Sequence, residues 1–208
     1  MPGESHITNL DPKLKMAKVF DGLLTKQFEN EIEEHLTSFD VKWNLNPNTV
    51  TDFDPRGKDP YIVEDFPTFT IVSYTQMLGP MAPIHRFTMK ILDEFQAKSG
   101  YKVEELLRVR TNLITKLKSK EGAYTRPHWD TYTPDGQDKD FHVLIYYVND
   151  SDGPTRLFTN GQSYDELQKI DPKKGRFILF KNCRHAGAYP RDHNLRIVIN
   201  FNIKIHKK

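Results

Sequence analysis

The sequence has a single cysteine, Cys183, among its 208 residues, so an internal disulfide framework is excluded. One cysteine suits a reducing cytosol, and we expect it to be a buried structural thiol. No apolar run approaches the roughly 18 residues of a membrane span, and the polar start lacks the apolar segment of a secretory signal. These absences predict a cytoplasmic protein with no membrane partner.

A strong excess of charge is also missing. The chain carries 30 Lys and Arg against 28 Asp and Glu, a net charge of +2, which gives no reason to expect nucleic acid as an obligate partner. Hydrophobic residues make up 37% of the chain and aromatic residues 12%, which is sufficient for a packed interior. We therefore predict one globular domain over residues 1–208.

The stretch Pro127-His128-Trp129-Asp130 is the first that indicates chemistry. On a β-strand His128 and Asp130 would point to the same face, because successive side chains alternate. His185, 57 positions after His128, would complete a set of two imidazoles and one carboxylate. That set occupies one face of a non-haem Fe(II) octahedron and leaves the other face open. The spacing predicts a metal centre formed by these three residues.

The final strand, predicted over Arg196 to Ile205, has one polar and one aliphatic face. Arg196 stands 11 residues beyond His185, far enough for a turn and entry into a strand, where a guanidinium could grip a carboxylate. Its polar face continues through Asn200, and its aliphatic face must be covered by the N-terminal helices. The polar face would then line a barrel. The alternative is an edge strand whose polar face, including Arg196, is solvated.

The rest of the chain divides into an N-terminal supporting part over residues 1–106 and a core over residues 107–208. The predicted elements are a strand at 15–20, a helix at 26–39 with Thr25 as N-cap, a long loop at 43–60, a helix from near Pro80 or Pro83 to Lys98 ended by Gly100, an alternating strand at 107–117 and a short helical turn at 164–170. Short strands separated by turns predict a mainly β fold with supporting helices (α+β). Its core would be a jelly roll with the helices packed on the major sheet.

An ordered series of motifs resembles a known family. The series comprises His128-x-Asp130, Leu144 to Asp150 followed by Gly153-Pro154-Thr155, Gly175 to Phe180, His185 and Arg196. It is similar to the Fe(II)- and 2-oxoglutarate-dependent dioxygenases with a double-stranded β-helix core, above all to the prolyl-4-hydroxylase-like branch and to short oxygenases of marine bacteriophages. The resemblance covers roughly residues 108 to 205. In a phage-encoded chain the predicted cytoplasm would be that of the host.

The resemblance implies a hydroxylase that uses Fe(II), 2-oxoglutarate and O2, and that converts 2-oxoglutarate to succinate and CO2. Arg196 would anchor the distal C5 carboxylate of 2-oxoglutarate in place of the lysine usual in the prolyl-hydroxylase branch. Asn112, Tyr147 and Asn200 are further candidate cosubstrate contacts, although Tyr147 could equally be a core residue. Tyr124 is the last candidate; the branch has its tyrosine one position later, where Thr125 stands here, and on a strand the two would face opposite ways.

The loop from Thr131 to Asp140 leaves the metal-binding stretch and is too polar to pack, so we expect a substrate-facing lid. Tyr132 on this loop and Arg156 on a later strand are candidate substrate contacts; a merely solvated loop is the alternative. By analogy the primary substrate is an amino acid, a peptide, a protein or another small molecule.

Two other functions stay open. A nucleobase- or nucleotide-oxidising dioxygenase would need a basic rim around the metal, formed by Arg56, Lys58, Arg126 and Arg156. The second open function is a jelly-roll module that binds a metal without catalysis. Such a module would not convert 2-oxoglutarate to succinate.

Overall fold

The structure is a computed structural model that describes residues 16–47, 67–118, 121–131, 140–159 and 165–208. Short strands dominate the described part of the chain, and two helices precede most of them. In chain order the elements are β1 (Lys18–Phe20), α1 (Lys26–Thr37), β2 (Asn44–Asn46), β3 (Thr68–Thr75), β4 (Gly79–Pro80), α2 (His85–Ser99), β5 (Tyr101–Thr115), β6 (His142–Tyr147), β7 (Thr155–Phe158), β8 (Glu166–Ile170), β9 (Phe177–Lys181), β10 (His185–Gly187) and β11 (Leu195–Lys207).

The strands form two antiparallel sheets. The major sheet has the order β1-β9-β6-β11-β5-β3-β2, with β4 paired to β3, and the minor sheet has the order β10-β7-β8. A cavity between the sheets is lined by side chains of β5 and β11 on one side and of β7 and β10 on the other. This arrangement confirms the mainly β jelly roll.

The two helices cover the outer face of the major sheet, as predicted. The core they share with β11 contains Phe28, Ile32 and Leu36 of α1, Ile91, Leu92 and Phe95 of α2, and Ile197, Ile199, Phe201 and Ile203 of β11. Each of these side chains is almost fully buried, and such burial stabilises the fold by about 1.5–3 kcal/mol per side chain. The aliphatic face of β11 is therefore fixed outward and its polar face inward.

The helix ends follow local rules. Thr25 caps α1, because its Oγ1 accepts a hydrogen bond from the backbone N of Phe28 at 3.3 Å. Gly100 ends α2 in the left-handed conformation at φ 78°, which glycine adopts without a steric penalty. α2 begins at His85, two residues beyond Pro83, because the preceding residues form a turn. Neither described helix is long and apolar enough to cross a membrane.

Three strands, β8, β3 and β2, differ from the sequence prediction. The predicted helical turn at 164–170 is wrong, because Glu166–Ile170 forms β8 and pairs with β7. β3 was not predicted at all, although its β-branched and aromatic residues are typical of a strand. Of the predicted loop at 43–60, Asn44–Asn46 forms β2 against β3, and residues 48–60 lie outside the described part of the chain.

β5 starts at Tyr101, earlier than the alternating pattern indicates. Its pairing with β11 shifts at two points, one between Lys204 and Ile205 and one between Asn202 and Ile203. At the second, Arg108 and Leu106 face Asn202 and Ile203 and leave Leu107 as an extra residue. This bulge reverses the facing of the strand. Beyond it the alternation holds as predicted: Val109 packs in the outer core, whereas later side chains of the opposite face line the cavity.

Candidate active site

A backbone bridge brings His128 and His185 together. The backbone N of each histidine donates a hydrogen bond to the carbonyl oxygen of the other, at 3.0 and 2.9 Å. Asp130 follows two residues later, and one ligand atom from each of these three residues lies within 4.8 Å of the others. The predicted triad therefore converges. The sequence argument placed His128 and Asp130 on a regular strand, but His128 forms only this isolated bridge and Asp130 lies in non-strand backbone.

A buried asparagine fixes the position of Asp130. The backbone N of Asp130 donates to Asn182 Oδ1 at 3.2 Å, and Asn182 Nδ2 donates to the carbonyl oxygen of Asp130 at 3.0 Å. Because a primary amide has both an acceptor and a donor, one side chain satisfies both backbone groups. Asn182 thus replaces the strand pairing that Asp130 lacks. The sequence reasoning missed it, since no periodic pattern marks it.

Backbone carbonyls set the tautomer of both histidines. His128 Nδ1 lies 3.0 Å from the carbonyl oxygen of Arg126, and His185 Nδ1 lies 2.9 Å from that of Cys183. A carbonyl oxygen only accepts, so each Nδ1 carries the hydrogen and, in the neutral ring, each Nε2 offers a lone pair. Both imidazoles are therefore oriented as ligands. Cys183 is buried as expected, and burial raises the pKa of its thiol to about 12.

Three donors hold the Asp130 carboxylate. Arg108 Nη2 donates to Oδ1 at 3.1 Å, and Asn200 Nδ2 and Asn202 Nδ2 donate to Oδ2 at 2.7 and 2.9 Å. All three residues stand on the neighbouring strands β5 and β11. Asn200 was predicted to contact the cosubstrate. It lines the cavity, and it also donates a hydrogen bond directly to the Asp130 carboxylate. Arg108 and Asn202 were not singled out from the sequence.

The charges of the triad suit metal ligation. Burial by itself would raise the pKa of the Asp130 carboxyl, but Arg108 and the two histidines outweigh burial and hold the pKa well below its usual range. Burial lowers the pKa of His128 to about 4, and the neighbouring His185 adds to this effect. The carboxylate is therefore ionised and the His128 imidazole neutral at neutral pH. These are the protonation states in which such groups bind a cation.

The donor set fits Fe(II). Two imidazole nitrogens and one carboxylate leave open coordination positions, which is typical of non-haem Fe(II) oxygenases. Asp130 Oδ1 lies 4.0 Å from His128 Nε2, and Asp130 Oδ2 lies 3.9 Å from His185 Nε2. These three side chains would hold the metal.

Arg196 is buried in the wall of the same cavity. Its Nε donates to the carbonyl oxygen of Gly153 at 2.7 Å and its Nη2 donates to Thr155 Oγ1 at 2.8 Å. The hydroxyls of Tyr147 and Thr155 are 2.6 Å apart, and the guanidinium carbon lies 5.7 Å from the centre of the Tyr147 ring. The quoted motif Gly153-Pro154-Thr155 thus fixes the orientation of Arg196.

No carboxylate of the described residues pairs with Arg196, although burial lowers the pKa of its guanidinium. A buried cation without an anion is costly, so the site favours an anion from solution. Gly187 leaves room for one, because a Cβ at this position would lie 2.9 Å from Arg196 Nη1.

The remaining predicted residues divide into two groups. Asn112 lines the cavity. Tyr147 does not: it is a fully buried core residue, the alternative considered for it, and its ring lies 5.7 Å from the Arg196 guanidinium. Tyr124 does not line the cavity: its ring lies in a separate cluster with Phe158 and beneath the guanidinium of Arg156, 4.9 Å away. Thr125 lines the cavity instead. This agrees with the expectation that residues 124 and 125 face opposite ways.

Arg156 also lies outside the cavity wall, where its Nη1 donates to Glu166 Oε2 at 2.5 Å. This ion pair removes one member from the basic rim that a nucleic-acid substrate would need. Arg56, Lys58 and Tyr132 lie outside the described residues, as does most of the predicted lid. Among the polar residues of the wall, the sequence reasoning did not single out Thr68 and Arg110. The alternation of β5 had placed Arg110 on the inward face, but no role was assigned to it.

The comparisons with known proteins agree with this geometry. Residues 114–204 match the family model of the 2OG-Fe(II) oxygenase superfamily. A search of curated proteins finds no significant match. Among solved structures, a Pseudomonas putida prolyl-4-hydroxylase is 14% identical, covers 91% of this chain and 92% of its own, and has a TM-score of 0.55.

Two further structures are similar. A prolyl hydroxylase from Trichoplax adhaerens, in complex with a peptide fragment of the hypoxia inducible factor oxygen degradation domain, is 14% identical, with coverage of 91% and 83% and a TM-score of 0.53. HygX from Streptomyces hygroscopicus, with nickel, 2-oxoglutarate and hygromycin B bound, is 13% identical, with coverage of 91% and 82% and a TM-score of 0.55.

A jelly roll whose cavity holds two histidines, an aspartate and a buried arginine is typical of the non-haem metal oxygenases. The family match over residues 114–204 agrees with these features. The donor set and the match together indicate a 2-oxoglutarate-dependent dioxygenase with Fe(II), 2-oxoglutarate and O2 as cofactors.

Proposed function

We propose that this enzyme hydroxylates a C–H bond in an amino acid, a peptide or a protein. One observation carries the reaction type: the His128, Asp130 and His185 ligand atoms and the Arg196 guanidinium line one cavity. The metal and its cosubstrate would therefore share a single cavity. In this proposal the three ligand residues hold Fe(II), and bound Fe(II) with 2-oxoglutarate and O2 supplies C–H hydroxylation coupled to release of succinate and CO2.

The residues of this chain position the reactants. Arg108, Asn200 and Asn202 hold the Asp130 carboxylate in one orientation, so Asp130 binds the metal without a change of rotamer. The Arg196 guanidinium and the Thr155 hydroxyl bind the C5 carboxylate of 2-oxoglutarate. Tyr147 supports both, because its hydroxyl bonds to Thr155 and its ring packs against Arg196.

The substrate class rests on similarity. Two of the similar structures are prolyl hydroxylases, and one of them contains a peptide fragment. The third contains hygromycin B, a small molecule. We extend the peptide or amino-acid class to this chain because its cavity opens beside the triad and Arg156, one member of the predicted basic rim, is paired with Glu166.

The test is formation of succinate from 2-oxoglutarate with Fe(II), which the family supports at a low rate without primary substrate. His128→Ala and Asp130→Ala should abolish succinate formation and weaken binding of Mn(II), measured by calorimetry. His206→Ala is the matched control, because His206 pairs with Glu104 at the surface. A peptide and amino-acid panel is then screened by mass spectrometry for products that gain one oxygen atom; equal succinate formation by wild type and both triad variants would refute the proposal.

A further inference from the structure

Arg110 is a second cation in the wall of the active-site cavity. It stands on β5 with Asn112 and Ile114, whose side chains face the cavity in the same way. Its side chain is half-buried, and its Nε is buried without a hydrogen-bond partner. Among the described residues, no carboxylate lies within ion-pair distance of it.

The strand register places Arg110 far from Arg196. In the β5–β11 ladder Arg110 faces Asn200, whereas Ile114 faces Arg196. Four residues of extended strand span roughly 13 Å, so the two arginines stand at opposite ends of the cavity. Asn200 bonds to the metal ligand Asp130. Arg110 is therefore at the metal end of the cavity.

Asp130 acts electrostatically on Arg110 and by itself would raise its pKa, but the two side chains form no ion pair. Asp130 is held by Arg108, Asn200 and Asn202, and bound metal would occupy what remains of its charge. Burial lowers the pKa of the Arg110 guanidinium, and the adjacent charge of Arg108 adds to this; an arginine nevertheless stays protonated. A partly buried guanidinium without an ion-pair partner favours an anion that arrives with a ligand.

We propose that Arg110 binds a carboxylate of the primary substrate and thereby holds the reacting C–H bond beside the metal. This inference rests on the proposed hydroxylase function and narrows its substrate to a molecule with a free carboxylate, such as an amino acid. A planar guanidinium suits this group because it can donate two parallel hydrogen bonds to it. The substrate carboxylate would then occupy the metal end and the 2-oxoglutarate C5 carboxylate the Arg196 end.

The test compares acids with their amides. The protein is loaded with Mn(II) and 2-oxoglutarate without O2, and binding of the twenty free amino acids and of their α-carboxamides is measured by calorimetry. We expect at least one acid to bind wild type about tenfold or more tightly than its amide, a difference of about 1.4 kcal/mol. Arg110→Met should remove this preference, Arg110→Lys should restore part of it, and the exposed Arg86→Met should retain it.

The outcomes separate the possibilities. Failure of wild type to bind Mn(II) and 2-oxoglutarate would refute the proposed function itself. Binding of both without any preference for acids over amides would overturn the role of Arg110 alone. A loss of 2-oxoglutarate affinity in Arg110→Met as large as the loss of acid affinity would also overturn it, because Arg110 would then bind the cosubstrate. Thermal unfolding of each variant shows whether it is folded.

Discussion

Replacement of Arg196 by methionine should abolish tight binding of 2-oxoglutarate. Arg196 is 3% exposed, and its guanidinium is held by Gly153 and Thr155 at 2.7 and 2.8 Å. Loss of one partner from a buried, hydrogen-bonded charge pair costs about 2–5 kcal/mol. Since 1.4 kcal/mol corresponds to a factor of ten, the Kd of 2-oxoglutarate should rise about 30-fold to several thousand-fold.

Arg196→Lys should give an intermediate loss. A lysine ammonium keeps the charge, but it cannot reproduce the planar fork that bonds to Gly153, Thr155 and a carboxylate together. The assay is calorimetric titration of Mn(II)-loaded protein with 2-oxoglutarate, without O2. Arg191→Met is the matched control, because Arg191 lies on the preceding turn and pairs with Glu121 at the surface.

The Mn(II) affinity and the thermal stability of Arg196→Met are measured alongside its 2-oxoglutarate affinity. They show whether a loss of 2-oxoglutarate affinity is specific to the cosubstrate. The Mn(II) affinity of Arg196→Met should stay close to that of wild type, because Arg196 stands at the opposite end of the cavity from Asn200 and Asp130. A change of less than about threefold in the Kd of 2-oxoglutarate for Arg196→Met would refute the reasoning. It would mean that the C5 carboxylate binds elsewhere.

Three further predictions concern positions around the site. Gly187→Ala should weaken 2-oxoglutarate binding about tenfold or more, because the new Cβ would lie 2.9 Å from a guanidinium that two hydrogen bonds hold in place; unchanged affinity in calorimetry would contradict this. Asn182→Ala should weaken Mn(II) binding about 10- to 100-fold, because Asp130 loses both backbone contacts; wild-type Mn(II) affinity would contradict it. Burial would raise the pKa of Asp152, but backbone N–H groups of residues 191–193 lower it below its usual range. Its stabilising effect is therefore present above the unfolded pKa of about 3.9 and is lost as the pH falls through the lower folded value; Asp152→Asn should flatten the loss of thermal stability on acidification, and parallel pH profiles would contradict this.

Periodicity and motif spacing were sufficient for the parts of the site that follow from local order. The alternation of β11 indicated both its helix-covered face and the inward position of Arg196. The order of His128, Asp130 and His185 indicated the donor set. These features are readable because strand parity and residue type are properties of short stretches.

The support around the triad was not readable in this way. Asn182 and Arg108 act on Asp130 from 52 and 22 residues away, and only the completed fold brings them near. The H-x-D stretch also lies outside regular strand, so parity alone did not explain why its side chains converge. β8 was misassigned because its five residues become a strand only by pairing with β7.

A crystal structure of the protein with Mn(II) and 2-oxoglutarate, grown without O2, tests the central claim most directly. We predict one Mn(II) bound by His128 Nε2, His185 Nε2 and the Asp130 carboxylate, with the C5 carboxylate of 2-oxoglutarate on Arg196. Mn(II) bound elsewhere, or 2-oxoglutarate bound away from Arg196, would contradict the account.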